Sequence, residues 1–360
     1  MKTDRIPRID ALRGFALLLI FAGNLPMFSG VFLPQSRLDA FVLWSIRVFV
    51  DGSAYTLFSL LFGWGLAVQI QRGKDHLWKR RMLFLFVLGL LHGLLLNQAD
   101  ILTVYAILGS LLYLVRKQSI QVLIWFIIIL LVSPTLTNLF YWWAAIDIPP
   151  AYPIFDPRFS GGLFDVLHAR FSQWLLYFLG QLLINFPNIF SAMLIGLVMG
   201  RTGFFLSIDQ YRKYLLLAGL IGSSLMGTYA TIYTWGGSVG LANAAATLGA
   251  PLLVCGYIAI APVWGWLVQV GQMTLSLYIL QSLIANALFI LAGFYGKMPL
   301  SEQGILFLAV NGVQVAVARR LRGGVVEWVW RGMVSKYITV QLTKIRKCSH
   351  SIPSFKSLGS

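Results

Sequence analysis

Two titratable side chains, His92 and Asp100, lie where two long apolar runs meet at a polar elbow. The surrounding residues, 79–116, read KRRMLFLFVLGLLHGLLLNQADILTVYAILGSLLYLVRK, with basic residues at both ends. A titratable group at membrane depth is costly to bury, so an intramembrane histidine is by default a functional candidate. A carboxylate beside an imidazole raises its basicity and fixes its tautomer. We therefore predict a catalytic pair in which His92 is the general base for a hydroxyl or amine acceptor.

Two further polar residues are predicted to join this pair. His92 lies thirteen residues after Lys79, and Asn24 lies fourteen residues after Asp10. At a rise of ~1.5 Å per residue, both side chains are ~20 Å from the basic ends of their helices. Asn24 is the predicted donor of hydrogen bonds to a developing oxyanion. Asp51 is expected at the extracytoplasmic ends of the helices, as is Asp100, and is a predicted substrate contact.

A structural interpretation remains open for both intramembrane residues. His92 could hydrogen-bond a neighbouring carbonyl and tighten the bundle, as polar residues in membrane spans often do. Asn24 precedes Pro26, and its amide could satisfy the carbonyl that the proline leaves unpaired.

A second set of candidates lies at the other end of the helices. Asp10 and Arg13 are one turn apart, and an arginine near a helix N-terminus suits a phosphate-bearing donor. A lipid-headgroup anchor, or an ion pair with Glu327 or Arg331, is the alternative. The predicted substrate-binding residues are Asp10, Arg13, Asp51, Tyr105, Glu327 and Arg331.

The composition is that of a polytopic α-helical membrane protein. Of the 360 residues, 58% are hydrophobic and 11% are charged, against roughly 25% charged residues in soluble domains. The net charge of +16 comes from basic clusters at helix ends, the positive-inside pattern, so we expect no nucleic-acid partner. Cys255 and Cys348 form neither a metal spacing nor a disulfide framework, and no metal site is predicted.

Apolar runs of span length recur along the chain. They predict an all-α bundle of about ten transmembrane helices, with both termini cytoplasmic. The predicted spans are 11–32, 54–71, 81–98, 100–115, 120–143, 185–201, 212–232, 240–262, 272–293 and 302–318. Amphipathic or interfacial helices are expected at 38–50, 163–184 and 325–340. The transmembrane domain covers 1–343, with helices at 1–143 and 163–343 and a proline-rich extracytoplasmic loop at 144–162. A disordered tail is expected at 344–360.

Several segments resemble the YeiB-like bacterial integral membrane family, a domain of unknown function. The matching segments are RIDALRGFALLLIFAGN (8–24), LFSLLFGWG (57–65), RRMLFLFVLGLLHGLLLNQADILTVYAILG (80–109), VGQMTLSLYILQS (270–282) and GVVEWVWR (324–331). The resemblance runs nearly end to end, and the histidine-to-tyrosine run at 92–105 is its most specific part. It implies a multi-pass protein of the bacterial plasma (inner) membrane.

That family in turn looks similar to transmembrane acyltransferases such as heparan-alpha-glucosaminide N-acetyltransferase. The shared opening is matched by Asp10, Arg13, Gly14 and Asn24. The resemblance implies acyl transfer from cytoplasmic acetyl-CoA to an acceptor on the far side. The catalytic histidine of those enzymes falls on Gln35 here, so its role does not carry over to that position; His92 is the candidate to replace it.

Three functions compete on this basis. The first is a membrane-bound acyltransferase, using an acyl-CoA-type donor as co-substrate without a bound cofactor, and an extracytoplasmic or lipid-linked acceptor. The second is a transporter or flippase for a small envelope-related substrate, supported by proline-broken helices. The third is a non-catalytic membrane scaffold or sensor. The lipid bilayer is the expected partner, and a homodimer is left open.

Overall fold

The computed structural model describes residues 6–146, 155–321 and 323–333, which contain helices and no strand. The helices are α1 (Pro7–Ser29), α2 (Arg37–Phe49), α3 (Ser53–Gln71), α4 (Trp78–Leu95), α5 (Leu102–Val115), α6 (Ile120–Trp143), α7 (Leu163–Leu183), α8 (Phe186–Thr202), α9 (Ile208–Trp235), α10 (Val239–Ile260), α11 (Gly265–Gly271), α12 (Thr274–Asn286) and α13 (Leu300–Arg320). Residues 325–333 are also helical. The predicted tail at 344–360, residues 147–154 of the predicted loop and the end of the helix predicted at 325–340 lie outside the described residues.

Seven helical stretches in the described residues are long and apolar enough to cross a membrane, or eight if the bent pair α7 and α8 is one span. The predicted ten also include α4 and α5. Helix α4 carries three basic residues in its first turn, and α5 has only fourteen residues. The chain is thus a multi-pass helical protein, and the number of ten crossings stays a prediction.

Two elements differ in detail from the expected amphipathic helices. Helices α2 and α3 together form one stretch of 35 residues, Arg37–Gln71, that meets the length and hydropathy of a span. The predicted surface helix at 38–50 therefore continues into the membrane-length helix that follows it. Helices α7 and α8 meet at an angle of 57°, at the Asn185–Pro187 segment where the sequence predicted an interruption.

Ionic contacts gather several helix termini at one end of the bundle, which we call the basic end. Arg8 at the start of α1 pairs with Asp209 at the start of α9 at 3.3 Å. Arg116 after α5 pairs with Asp75 before α4 at 3.2 Å. These contacts place alternate helix ends on one side, as the charge pattern predicts; the cytoplasmic location of that side stays a prediction.

Glycines bring neighbouring helices into backbone contact. A Cβ atom added at Gly196 of α8 would lie 1.8 Å from the carbonyl oxygen of Leu60 on α3. One added at Gly271 of α11 would lie 1.7 Å from the carbonyl oxygen of Asp10 on α1. Small residues are the usual means of close packing in membrane bundles, because lipid gives helices no hydrophobic reason to associate. The second contact fixes α1 and α11 beside the candidate donor site described below.

Candidate functional site

The structure brings His92 and Asp100 into direct contact. His92 lies in the last turn of α4, and Asp100 lies in the elbow before α5. The imidazole Nδ1 and the carboxylate Oδ1 are 2.8 Å apart, and both residues are buried. The elbow itself is a tight turn in which the Asp100 N–H donates to the Asn97 carbonyl oxygen at 3.0 Å. The predicted pair thus exists as a short, buried hydrogen bond.

The second oxygen of Asp100 is held by the first turn of α5. Its Oδ2 accepts hydrogen bonds from the Thr103 backbone N–H at 3.0 Å and from the Thr103 hydroxyl at 3.2 Å. Helix N-termini favour negative charge, so this position suits an ionised carboxylate. Gly89 makes the approach feasible, since a Cβ there would lie 2.4 Å from the Thr103 nitrogen. The acid is therefore oriented from both sides.

A third residue, Ser282 of α12, completes the arrangement. Its hydroxyl oxygen lies 2.8 Å from the His92 Nε2, and Ser282 is buried. Because the carboxylate accepts at Nδ1, the hydrogen-bond network assigns the ring proton to Nδ1 and leaves Nε2 to accept from the serine hydroxyl. Acid, imidazole and hydroxyl in this order form the constellation of an activated nucleophile.

Sequence reasoning did not single out Ser282. The serine lies 190 positions from His92, so no local spacing reveals the contact. Its one signal is that it ends the segment VGQMTLSLYILQS, which carries part of the family resemblance.

A buried arginine lies next to this arrangement. Arg170 of α7 donates to the Leu95 carbonyl oxygen and to the Asn286 Oδ1. Asn286 in turn donates to the Ser282 carbonyl oxygen at 2.6 Å. Within the described residues Arg170 has no carboxylate partner, and its Nε has no hydrogen bond. The guanidinium thus ties α7 to the elbow and to α12.

Asn24 and Asp51 do not join the pair by hydrogen bonds. Asn24 is half-buried and makes no side-chain hydrogen bond to the described residues. Asp51 accepts instead from the Tyr229 hydroxyl of α9 at 3.5 Å. Of the four polar groups expected to converge, His92 and Asp100 are joined by a hydrogen bond, and the contribution of the other two to the site stays a prediction. Depth along a helix sets a side chain's height but not the face on which it lies.

A cavity of about 930 Å³ opens at the basic end. It is lined by five of the six predicted substrate-binding residues, Asp10, Arg13, Tyr105, Glu327 and Arg331. Asp51 does not line it. Tyr105 is the innermost polar member: its hydroxyl lies 2.7 Å from the Ser59 hydroxyl and donates to the Tyr55 carbonyl oxygen at 3.0 Å.

Two guanidinium groups converge in this cavity. Arg13 pairs with Asp10 at 3.2 Å. Arg81 of α4 packs over the Phe62 ring at 5.3 Å and has no acidic partner among the described residues. A Cβ added at Gly65 would lie 3.7 Å from one guanidinium nitrogen of Arg13 and 3.9 Å from one of Arg81. Sequence reasoning treated Arg81 only as one of the basic residues that set the orientation, whereas the structure places it in the lining of the cavity.

Glu327 has a structural partner already. Its Oε1 accepts from the Leu275 backbone N–H at 2.8 Å, and its Oε2 accepts from the Ser276 hydroxyl. These groups belong to the first turn of α12, so the carboxylate caps that helix and compensates its positive end. Glu327 thereby fixes the helix that carries Ser282.

Tyr278 lies on α12 between the cavity lining and the buried site. Leu275 of α12 lines the cavity and Ser282 does not. Ser282 follows Leu275 by seven positions, which corresponds to ~10 Å along the helix. Tyr278 lies between the two, buried, with its ring centroid 4.8 Å from that of His92.

The end of the bundle opposite the basic end is closed by an ion-paired turn. Arg158 donates to Asp156 with a shortest distance of 2.6 Å, and Gln173 of α7 donates to the same carboxylate at 2.6 Å. The hydrogen bonds from Arg158 hold the pKa of Asp156 below its usual range. The Asp156 backbone N–H donates to the Tyr295 hydroxyl at 3.3 Å, and burial raises the pKa of that hydroxyl.

Among the described residues, no group of three His, Cys, Asp or Glu side chains could hold a metal ion.

Comparisons with known proteins give a consistent family and no activity. A family model described as "Protein of unknown function (DUF418)" matches residues 199–336. The chain is 28% identical over 386 residues to "Uncharacterized protein YxaH" of Bacillus subtilis, covering 92% of this chain and 94% of the relative. It is 25% identical over 397 residues to "Uncharacterized protein YeiB" of Escherichia coli, covering 91% and 96%.

A third relative matches a shorter stretch. "Uncharacterized 39.9 kDa protein in amylase 3'region" of Bacillus acidopullulyticus is 36% identical over 125 residues, covering 32% of this chain and 36% of the relative. No solved structure matches the chain. The family model and the two end-to-end relatives agree with the resemblance found in the sequence motifs, and together they support a YeiB-like family for this chain.

Proposed function

We propose that this protein is a membrane-bound acyltransferase of the bacterial inner membrane. It would move an acyl group from a cytoplasmic acyl-CoA-type donor to an extracytoplasmic or lipid-linked acceptor. The observation that carries the proposal is the buried His92 imidazole, hydrogen-bonded to a carboxylate at one nitrogen and to a hydroxyl at the other. A general base so arranged removes a proton from a hydroxyl or amine as it attacks an acyl carbonyl.

The cavity at the basic end supplies the donor site. Guanidinium nitrogens of Arg13 and Arg81 both approach Gly65, and Arg13 pairs with Asp10. An incoming phosphate would relieve the repulsion between the two guanidiniums and accept charge-assisted hydrogen bonds from both. The phosphates of an acyl-CoA bind there in this proposal, and its thioester arm points toward Tyr105.

The remaining step is passage from the cavity to the imidazole. Tyr278 lies on α12 between the cavity lining and Ser282, and its ring contacts that of His92. The proposal therefore requires the Tyr278 ring to turn aside when the donor binds. Asp100 holds His92 in the tautomer that accepts at Nε2. Asn24 remains the predicted oxyanion donor, since its side-chain amide is not engaged by the described residues.

Radiolabelled acetyl-CoA tests this function directly. Membranes containing the protein should transfer the labelled acetyl group to a membrane-associated acceptor. His92→Ala should lower the rate by roughly 10³-fold or more, as removal of a catalytic base does elsewhere. His76→Ala is the matched control, because His76 is exposed in the loop before α4. Transfer that survives His92→Ala unchanged would refute the proposed role.

Transport is the second candidate, supported by the 57° break between α7 and α8. Discontinuous helices shape binding sites in many transporters. Proteoliposomes that accumulate an envelope precursor without covalent change, and do so equally with His92→Ala, would favour transport over acyl transfer.

A further inference from the structure

The hydroxyl of Ser282 is the feature of the site that the proposed reaction has not yet used. We propose that Ser282 is a covalent nucleophile, so that the acyl group travels from donor to acceptor as an ester on its Oγ. This inference rests on the proposed acyl transfer and specifies its chemical course.

The orientation of the hydroxyl distinguishes Ser282 from the helical serines Ser45 and Ser110. Serine hydroxyls inside helices usually donate back to the carbonyl four residues earlier. Ser110 and Ser45 do so at 2.7 and 2.8 Å. Ser282 lies 3.4 Å from the corresponding carbonyl oxygen of Tyr278 but 2.8 Å from the His92 Nε2. Its hydroxyl is thus directed at the imidazole rather than at its own helix.

The surroundings of the hydroxyl match the needs of an acyl-enzyme. Ser282 is 1% exposed and His92 is 3% exposed, so an ester formed there is shielded from water. Helix α12 is anchored at its start by Glu327 and near its end by Asn286, which donates to the Leu96 carbonyl oxygen at 2.9 Å. A nucleophile on a helix held at both ends keeps its position relative to the elbow that carries the acid and the base.

The chemistry balances without any further reactant. In the first half-reaction the Ser282 Oγ attacks the thioester carbonyl carbon and its proton passes to the His92 Nε2. The carbon–sulfur bond breaks, and the departing sulfur takes that proton to leave as a free thiol. In the second half-reaction the acceptor hydroxyl attacks the ester and gives its proton to Nε2. The ester bond breaks, and Oγ recovers the proton.

The two half-reactions assign different routes to the two substrates. The donor reaches Oγ from the basic-end cavity, along the ~10 Å of α12 that separates Leu275 from Ser282. Once the thiol has left, the acyl group stays on the buried serine while the acceptor approaches. The donor and the acceptor therefore never need to occupy the site together, which gives ping-pong kinetics.

A single-turnover experiment tests the covalent step. The purified full-length protein in detergent is mixed with acetyl-CoA labelled in the acetyl group, without acceptor. We expect a burst of free thiol approaching one per chain and label on the peptide that contains Ser282. Ser282→Ala should abolish both the burst and the label. Ser282→Cys should retain the label as a thioester, which neutral hydroxylamine removes faster than the ester.

Binding of CoA, followed by thermal shift, controls for folding and for the donor cavity. All three proteins should bind CoA equally, because Ser282 does not line that cavity. Acetyl transfer to the membrane acceptor by Ser282→Ala within tenfold of the original rate would overturn the covalent step and leave the proposed function standing. Absence of both CoA binding and transfer in the unaltered protein would instead remove the proposed function itself.

Discussion

The cavity at the basic end and the buried site around His92 differ in how far their charged and polar groups are paired. In the cavity of about 930 Å³, Arg81 has no acidic partner among the described residues, and Arg13 pairs with Asp10 one helical turn away. In the buried site both nitrogens of His92 and both oxygens of Asp100 have short hydrogen bonds. Uncompensated charge beside open space suits binding of a large anion, whereas fully satisfied hydrogen bonds suit an oriented proton transfer.

The contrast extends to how each region is held in place. The buried site depends on one elbow of the chain and one helix, so a change there alters angles and tautomers. The cavity depends on the ends of several helices, and its charges act over a longer range through space. We therefore expect substitutions in the buried site to lower kcat, and substitutions in the cavity to raise KM for the donor.

The largest expected effect comes from replacing the Asp100 carboxylate of the buried site by an amide, with Asp10→Asn in the cavity as the matched control. Asp100→Asn should lower kcat for acetyl transfer by roughly 10⁴-fold with little change in KM, because the amide stabilises the wrong imidazole tautomer. Asp10→Asn should leave kcat nearly unchanged, since Asp10 pairs with Arg13 and Gln272 in the cavity. Steady-state kinetics with acetyl-CoA measures both.

The outcome of this pair decides whether the two regions are separate. Equal losses of kcat in Asp100→Asn and Asp10→Asn would mean that the cavity and the buried site act as one. Melting temperatures of the two variants guard against misfolding as the cause.

The second effect concerns Arg81, a cation of the cavity lining without an acidic partner among the described residues. Arg81→Gln should raise KM for acetyl-CoA by roughly 10- to 100-fold, because a charge-assisted contact to phosphate is lost. Arg80→Gln is the matched control, since its neighbour Arg80 is exposed and does not line the cavity. The KM values should diverge most at low salt, where electrostatic attraction is least screened. Equal KM values for both variants would contradict a donor phosphate at Arg81.

The third effect concerns the barrier between the regions. Tyr278→Ala should connect the cavity to His92 and raise hydrolysis of acetyl-CoA in the absence of acceptor, because water then reaches the ester. Tyr278→Phe keeps the ring and should hydrolyse no faster than the unaltered protein. Release of free thiol over many turnovers measures the difference. A lower rate with alanine than with phenylalanine would show that the ring positions the donor rather than blocks it.

The contrast between the regions also explains what the sequence could predict. The contact of His92 with Asp100 was predictable because both residues belong to one short segment with an obvious elbow. Arg13 and Tyr105 were predicted as substrate contacts, and both line the cavity. Arg13 belongs to the family motif, and Tyr105 lies in the helix that follows the elbow. The role of Ser282 was not predicted, because its contact with His92 joins residues 190 positions apart in the sequence.

What the sequence left open has one physical origin. Asn24 and Asp51 were assigned to the His92 site from their depth along the helix, and depth does not determine the helix face on which a side chain lies. The helical class and the ends of most helices followed from apolar run length alone. The continuity of α2 with α3 did not, because Asp51 and Gly52 look like a break in the sequence yet interrupt the helix only locally.

The smallest expected effect lies at the end of the bundle that carries Asp156. Its lowered pKa means that the folded protein favours the carboxylate, so its stabilising contribution is present above the unfolded value of about 3.9. That contribution is lost as the pH falls through the lower pKa of the folded state. Asp156→Asn cannot titrate, so its melting temperature should lie slightly below that of the unaltered protein at pH 7 and converge with it toward pH 3.

This comparison sharpens the distinction between positioning and chemistry. Gln173 donates to Asp156 from the same helix that carries Arg170, so the turn helps to hold α7 against the elbow. If α7 only supports the site, Asp156→Asn should lower thermal stability by a few degrees and leave kcat unchanged. A loss of kcat at unchanged stability would instead show that the orientation of α7 affects the His92–Ser282 contact through the hydrogen bonds from Arg170 to Asn286 and from Asn286 to the Ser282 carbonyl oxygen.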